Sequence, residues 1–419
     1  MTLWSRHQAV QVLKSDGRCI IDGVNFANVI ATFLYDESLL GALKKIVFSL
    51  FYRSDISTGR NSFLSGAEYI VFYSCRSKKR PDYDYFPEKF RVLLGQRQSY
   101  FEAVEKFSIN QFFTTLFYFV DSFQRVNKFR RSSLTRILTA LLLSKYRTSY
   151  DFFQGIVVNC ADRTLITFSD AHPLENLITQ IVMLKGGVTI TNQHGQYRIL
   201  DESNMSPDAE AYANFISDKL LCWGEATVRE FMKYGISRER CIVVGWIKRL
   251  RLYPKDINKG PSSVFGVMLN GENGKESNQL LLEWANRLAD SLDCSYHVRL
   301  HPSNNVLNYV DVVNNKCLGL QKMPVKDFFS VVSFCIAHMT GGTVEALELN
   351  CPIYLMDDSR LADVFRIDGL SYENFEELLS AVRADNISPH ESKIRFEVLR
   401  LLFNDDHEQD IRLLSAICK

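Results

Sequence analysis

Residues 333–356 run SFCIAHMTGGTVEALELNCPIYLM. SFCIAHM is a short apolar run of the kind a buried strand needs. Gly341-Gly342 follow it, Thr343 to Leu349 has the makeup of a helix, and PIYLM returns as a strand. A strand, a glycine turn, a helix and another strand in this order imply a right-handed crossover within a parallel sheet.

The same alternation continues upstream. SVFGVMLN (263–270) has the apolar, β-branched look of a buried parallel strand. A Gly/Asn/Glu loop follows, then a helix over 276–291. CSYHVRLHP (294–302) is a strand ended by proline, KCLGLQ (316–321) continues the pattern, and a helix is expected over 325–332. Before position 248 the order repeats. TLITFS (164–169), VTITN (188–192), DKLLCWG (218–224) and RCIVVG (240–245) read as strands, and ENLITQIVMLKGG and EATVREFMKYG as helices. A polar loop of about twenty residues, near 197–217, interrupts the series. Loops of that length often carry function.

These elements predict an α/β protein with two Rossmann-like domains whose parallel sheets face an interdomain cleft. An acceptor-side domain is expected over 1–248 and a nucleotide-binding domain over 262–380. Helices over 381–419 are expected to pack back on the domains, and RLRLYPKDINKGPSS (249–263) reads as the linker. The first 150 residues are less ordered to the eye. RCIIDGV (18–24) and EYIVFYSC (68–75) are candidate strands, followed by aromatic-rich helical segments.

The 419 residues are 46% hydrophobic with a net charge of +1, which gives no field for nucleic acid. Aromatics at 12% are read as core filling. The ten cysteines form no Cys-x-x-Cys pair and no zinc spacing, so scattered thiols in a reducing cytosol are expected. No signal peptide is read at the N-terminus, and no apolar segment reaches the roughly 20 residues of a bilayer span. KFRRSSLTRILTALLLSKYR (128–147) is basic at both ends and apolar between. It fits either an anionic membrane surface or a buried helix with snorkelling ends.

Several side chains fall at carboxyl ends of strands, where open α/β sheets bind ligands. Asn270 and Gly271 open a loop whose backbone N–H groups can approach an anion, or which is a plain turn. Thr340, Gly341, Gly342 and Thr343 open a helix able to take a diphosphate, with Glu345 on its first turn placed for ribose hydroxyls. The structural alternative is that Thr343 caps this helix and Glu345 favours its dipole. His297, Arg299 and His301 alternate on one strand face. Arg299 and His301 are the candidates for phosphate, and His297 reads as a structural histidine. In the N-terminal half, Asp170 and His172 follow one strand, and Gln193, His194 and Gly195 follow the next. His194 is the first choice for a base taking a proton from an acceptor hydroxyl, with Asp170 as alternative or orienter. Asp170 also suits a helix N-cap. Gln193, Gly195 and His172 are assigned to the acceptor side. Lys248-Arg249-Leu250-Arg251 is read as a solvated basic run or a phosphate contact.

Over roughly 160–360 the blocks TFSDAHPLENL, TITNQHGQY, SDKLLCWGEATVREFMKYGI, CIVVGWIKR, HVRLHP and TGGTVEALELNCPIYL resemble GT-B-fold glycosyltransferases of bacterial surface polysaccharide synthesis, of capsule, lipopolysaccharide or teichoic-acid type. The resemblance implies an N-domain His-Gly turn serving the acceptor, here His194-Gly195. It implies that His301-Pro302 and the segment Thr340–Thr343 serve the nucleotide. The His-Pro element also looks like the nucleotide motif of sialyl- and Kdo-type transferases, without their acidic pair, and Gly341-Gly342 stand where two serines are frequent. Gln193 stands where teichoic-acid polymerases carry tryptophan. The expectation is transfer of a sugar from a nucleotide-activated donor to a cell-surface glycan, free or lipid-linked, without metal or cofactor. The setting expected is cytoplasmic, at the inner face of the membrane, with peripheral contact through 128–147. The alternatives are a CDP-polyol phosphotransferase, a nucleotide-sugar 2-epimerase and a non-catalytic GT-B partner protein.

Overall fold

The computed structural model describes residues 3–34, 39–58, 66–75, 83–126, 132–157, 160–195, 213–233, 235–247, 263–271, 274–349, 351–361, 365–384 and 408–418. Lys248 to Arg251, most of the 249–263 segment and most of the long polar loop lie outside these residues. The chain divides into two bodies, one formed mainly by 1–223, 227–248 and 406–419, the other by 249–405.

The N-terminal body opens with α1 (Leu3–Lys14) and a small antiparallel pair, β1 (Ile20–Ile21) and β2 (Val24–Asn25). RCIIDGV is therefore not a sheet strand. Asp22 and Gly23 take positive φ and fold the segment on itself. Helices α2 (Phe26–Ile30) and α3 (Leu39–Phe51) follow. The main sheet has seven strands: β3 (Tyr52–Thr58), β4 (Tyr69–Cys75), β5 (Gln98–Phe107), β6 (Thr164–Thr167), β7 (Val188–Asn192), β8 (Lys219–Cys222) and β9 (Cys241–Val243). Their order is β3-β5-β4-β6-β7-β8-β9, and only β3 is antiparallel. β4 alternates between two cores. Ile70 and Phe72 pack on one side, while Tyr69, Val71 and Tyr73 pack on the other. That two-sided burial is why EYIVFYSC reads as an almost continuous apolar run.

Five further helices flank this sheet: α4 (Tyr85–Leu94), α5 (Asn110–Val126), α6 (Ser133–Gln154), α7 (Pro173–Leu184) and α8 (Glu225–Lys233). The run Thr139 to Tyr146 of α6 is buried. Lys145 inside it has no exposed surface and bonds both carboxylate oxygens of Glu105 at 2.9 Å. The apolar middle of 128–147 is thus core rather than membrane-facing, because tertiary packing already covers it. Leu134 and Ile137 at the start of α6 are exposed.

The second body holds a fully parallel sheet of β10 (Val264–Met268), β11 (Ser295–Arg299), β12 (Cys317–Gln321), β13 (Cys335–Ala337), β14 (Ile353–Met356) and β15 (Ser371–Tyr372). Helices α9 (Lys275–Leu292), α10 (Val325–Val331), α11 (Gly342–Glu348) and α12 (Phe375–Ala384) connect or flank these strands. The strand order is β12-β11-β10-β13-β14-β15, the doubly wound Rossmann order. A final helix, α13 (Gln409–Ile417), belongs to the N-terminal body. Its Leu413, Ala416 and Ile417 sit in the same core as Tyr69 and Phe86.

Candidate functional site

In each body the strand order reverses once, between β10 and β13 in one sheet and between β4 and β6 in the other. Consecutive connections leave such a point in opposite directions and open a crevice at the carboxyl ends. Most of the chemically capable side chains lie at these two places.

At the C-terminal switch point, Asn270 follows β10 and His338 follows β13. Asn270 Nδ2 lies 2.8 Å from His338 Nδ1. His338 Nε2 lies 2.8 Å from Asp358 Oδ1, and Ser277 Oγ donates to Asp358 Oδ2 at 2.6 Å. The imidazole and these donors hold the Asp358 carboxyl well below the usual range, against the opposing pull of burial, which is the larger single effect. The loop is pinned as well. Asn278 bonds both the N–H and the C=O of Asn270, and Asn304 Nδ2 donates to the same carbonyl.

Three polar atoms here are buried with no hydrogen-bond partner among the described residues: Asn270 Oδ1, Asn304 Oδ1 and Thr343 Oγ1. Native interiors leave few such atoms, and each carries a desolvation cost of about 1–3 kcal/mol until something satisfies it.

Asn270, Gly271 and His301 come together. A Cβ on Gly271 would stand 3.5 Å from His301 Nδ1 and 3.3 Å from Ser303 Oγ. His301 Nδ1 in turn lies 2.8 Å from Ser303 Oγ. Gly342 approaches the end of β10 so closely that a Cβ would meet Met268 Sδ at 2.8 Å. Thr340 accepts from the N–H of Gly342, so Thr340 rather than Thr343 caps the turn, while Gly341 is exposed. Glu345 is buried. Arg299 is held elsewhere, its Nε donating to the Met323 carbonyl at 3.0 Å between β12 and α10. Burial lowers the pKa of His297.

In the N-terminal body, His172 and His194 meet with ring centroids 5.4 Å apart, and Phe168 lies 5.7 Å from His194. The apolar surroundings, helped by His172, push the His194 pKa down to about 3. The ring is uncharged at neutral pH. Gln193 fixes the turn that carries it: its Nε2 donates to the Gly195 carbonyl at 2.9 Å, and its Oε1 accepts from Trp223 N–H at 2.7 Å. Asp170 is committed to the backbone. Its Oδ2 accepts from Ile216 N–H, Ser217 N–H and Ser217 Oγ at 2.7–2.9 Å. It does not cap α7, whose N-cap is His172. Burial raises the Asp170 pKa to about 6 even so.

Glu175 escaped the sequence analysis. Fully buried on the first turn of α7, it accepts from the N–H and Oγ of Ser74 near the end of β4, and from the N–H of Ser169 after β6. His172 Nδ1 lies 3.9 Å from the same carboxylate. In sequence Glu175 looks like an acid favouring a helix dipole. His338, Asp358 and Asn304 were missed too. The available signal for His338 was its place directly before the Thr-Gly-Gly turn.

No family model matches this chain, and no curated protein matches it by sequence. Solved structures do match in shape. S. aureus MnaA with UDP is 11% identical, with 84% of this chain and 96% of that one covered at a TM-score of 0.50. A protein described as a UDP-N-acetylglucosamine 2-epimerase from Listeria monocytogenes is 10% identical, with the same coverages and a TM-score of 0.53. The lipopolysaccharide outer core galactosyltransferase WaaB, apo form, is 10% identical, with 84% and 99% covered and a TM-score of 0.47. The architecture is that of GT-B proteins, two Rossmann-like bodies each built on a parallel sheet.

Proposed function

We propose that this protein is a glycosyltransferase that takes a sugar from a nucleotide-activated donor and delivers it to a cell-surface glycan acceptor. The observation that carries the reading is the set of unpartnered buried atoms at the β10/β13 switch point. Asn270 Oδ1 and Asn304 Oδ1 suit ribose or base donors, and the Thr343 hydroxyl suits a phosphate oxygen. The backbone at Gly271 and Gly342, with His301, receives the diphosphate. Asp358 and Ser277 orient His338, which holds Asn270 in place.

The acceptor hydroxyl loses its proton to the uncharged His194 as its oxygen attacks the anomeric carbon. The bond from that carbon to the donor phosphate breaks, and its electron pair leaves with the nucleoside diphosphate. A protonated ring with a pKa near 3 is a strong acid, so the free ring is a weak base. A weak base takes the proton late, as the new bond to the anomeric carbon forms and the attacking hydroxyl becomes acidic. Gln193 and Gly195 set the ring, and His172 lies beside it. Donor polar contacts that strengthen as the leaving charge develops contribute several kcal/mol. No metal is assigned to this chemistry, and Arg299, bonded to the Met323 carbonyl, is given no phosphate-binding role.

A second reading is a nucleotide-sugar 2-epimerase, favoured by the likeness to MnaA and the Listeria protein. One experiment separates the two. The protein is screened for thermal stabilisation by CMP, CDP, UDP and GDP, then incubated with the matching sugar conjugate with and without glycan acceptor. A ligand at a hundred times its Kd adds about 2.7 kcal/mol. Acceptor-dependent release of the free nucleotide supports transfer, and an altered nucleotide sugar formed without acceptor supports epimerisation. No stabilisation by any nucleotide would overturn both.

A further inference from the structure

Helix α5 buries several polar residues and exposes several apolar ones. Its buried positions include Gln111, Thr115 and Ser122, while Phe113, Leu116, Phe117 and Val120 are exposed. Phe117 is 79% exposed, and Phe113 and Val120 are each 66% exposed. Two of these inward polar groups are satisfied: Gln111 Nε2 donates to Thr115 and Thr148, and Thr115 Oγ1 donates to the Ser49 carbonyl, while Ser122 Oγ has no partner among the described residues. Phe119, Phe123 and Val126 of the same helix pack into the core, and the opposite face leaves apolar side chains in water. Such a face at i, i+3, i+4 and i+7 costs solubility and marks a contact surface. Phe107 and Ile109 extend it at the N-terminal end of α5. The neighbouring α3, which packs on α5 and α6, exposes Leu40, Leu43 and Val47.

We infer that this face, formed by α3 and α5, seats the protein on an anionic phospholipid surface. Charge decides among occupants. Helix α3 carries Lys44 and Lys45 and no acid, and the described residues of α5 and of the start of α6 carry Arg125 and Arg136 against the single Asp121. The chain as a whole is near neutral, so the excess is local. A second copy meeting this face would set basic groups against basic groups, since a two-fold interface pairs like patches. Anionic headgroups complement them, and a 17-residue helix lying flat offers about 25 Å of apolar edge to the acyl boundary. A cavity of about 560 Å³ beside α3 is lined by Phe33, Val47, Phe48 and Tyr52 together with both lysines. Its apolar wall and amines suit a lipid chain and its phosphate. The surface lies on a different helix from the buried α6 middle and does not depend on the proposed activity.

The test is co-sedimentation of the full chain with neutral phosphatidylcholine vesicles and with vesicles holding phosphatidylglycerol, at low and high salt. The expected result is at least tenfold more binding to the anionic vesicles, reduced by salt, and at least tenfold less for the double variant Phe113→Ser/Phe117→Ser. Both sites are solvent-exposed, so unchanged circular dichroism and Tm are expected for that variant. Lys44→Gln is expected to lower anionic binding a few-fold. Equal sedimentation with both vesicle types, or none with either, would overturn the inference. So would light scattering that shows a wild-type dimer and a monomeric double variant, since the face then belongs to another copy.

Discussion

At the switch point of the N-terminal sheet, the N–H groups of Ser74 and Ser169 are both taken by the Glu175 carboxylate. At the corresponding place in the C-terminal sheet, the buried acceptors of Asn270 and Asn304 and the Thr343 hydroxyl have no partner among the described residues. Where the strands diverge, one sheet supplies its own anion and the other keeps polar groups unsatisfied, although the Asn192 amide at the end of β7 also has no partner among the described residues. The histidines follow the same division. His194 stands among aromatic rings and is held neutral, while His338 is clamped between an amide and a carboxylate. In the proposed function the two ends take different roles, a rigid support for a proton acceptor and a receptacle for a ligand.

The largest effect is expected at the ring that the N-terminal sheet supports. His194→Ala should lower turnover by about 10³-fold, in the middle of the range of general-base contributions, with nucleotide affinity within a few-fold of wild type. Wild-type turnover in this variant would remove the proton-transfer role.

Glu175→Ala should cost about 3 kcal/mol of stability in urea titration, because it strands two backbone N–H groups. A loss below about 0.5 kcal/mol would mean that the switch point is not held by this carboxylate.

Acid should act through His194. Its folded pKa is lowered to about 3 from an ordinary 6.5, so the unfolded chain takes up the proton first as pH falls. Stability from this ring is complete above about pH 6.5 and is lost between there and about pH 3. The loss is on the order of 2–3 kcal/mol after allowance for partial solvent access. His194→Gln should flatten that part of the profile. Asp170 has the opposite sign, with a folded pKa raised to about 6. It penalises the fold as pH rises from about 4 to about 6, and Asp170→Asn should relieve this.

The smallest expected effect is the most diagnostic of the C-terminal sheet. Thr343→Val removes a buried unpartnered hydroxyl at nearly constant volume. The free protein should gain up to about 1 kcal/mol while the nucleotide Kd rises about tenfold, opposite signs that a merely structural residue would not give.

Much of this was legible beforehand. From 164 onward each strand is a short apolar run closed by Gly, Pro or a polar turn, so the alternation of elements shows directly, and His194, His301 and the Thr-Gly-Gly turn stand at its punctuation. The first 150 residues hide their order for physical reasons. YRSDIST is a polar edge strand, RCIIDGV folds back at a positive-φ pair, and α5 buries several polar residues and exposes several apolar ones, so its periodicity misleads. Glu175, Asn304 and Asp358 were invisible because their work depends on partners 20 to 101 residues distant in sequence.

Helix α13 carries a consequence in time. Its residues close the core around Tyr69 and Phe86, Gln409 bonds the Trp246 carbonyl, and Lys219 bonds that of Ala416. During synthesis the N-terminal body therefore emerges first and is completed last. More than 150 residues of the other body must leave the ribosome before Leu413 and Ile417 can cover that core. Until then its apolar seat is exposed to chaperones, and translation pauses late in the message prolong that interval.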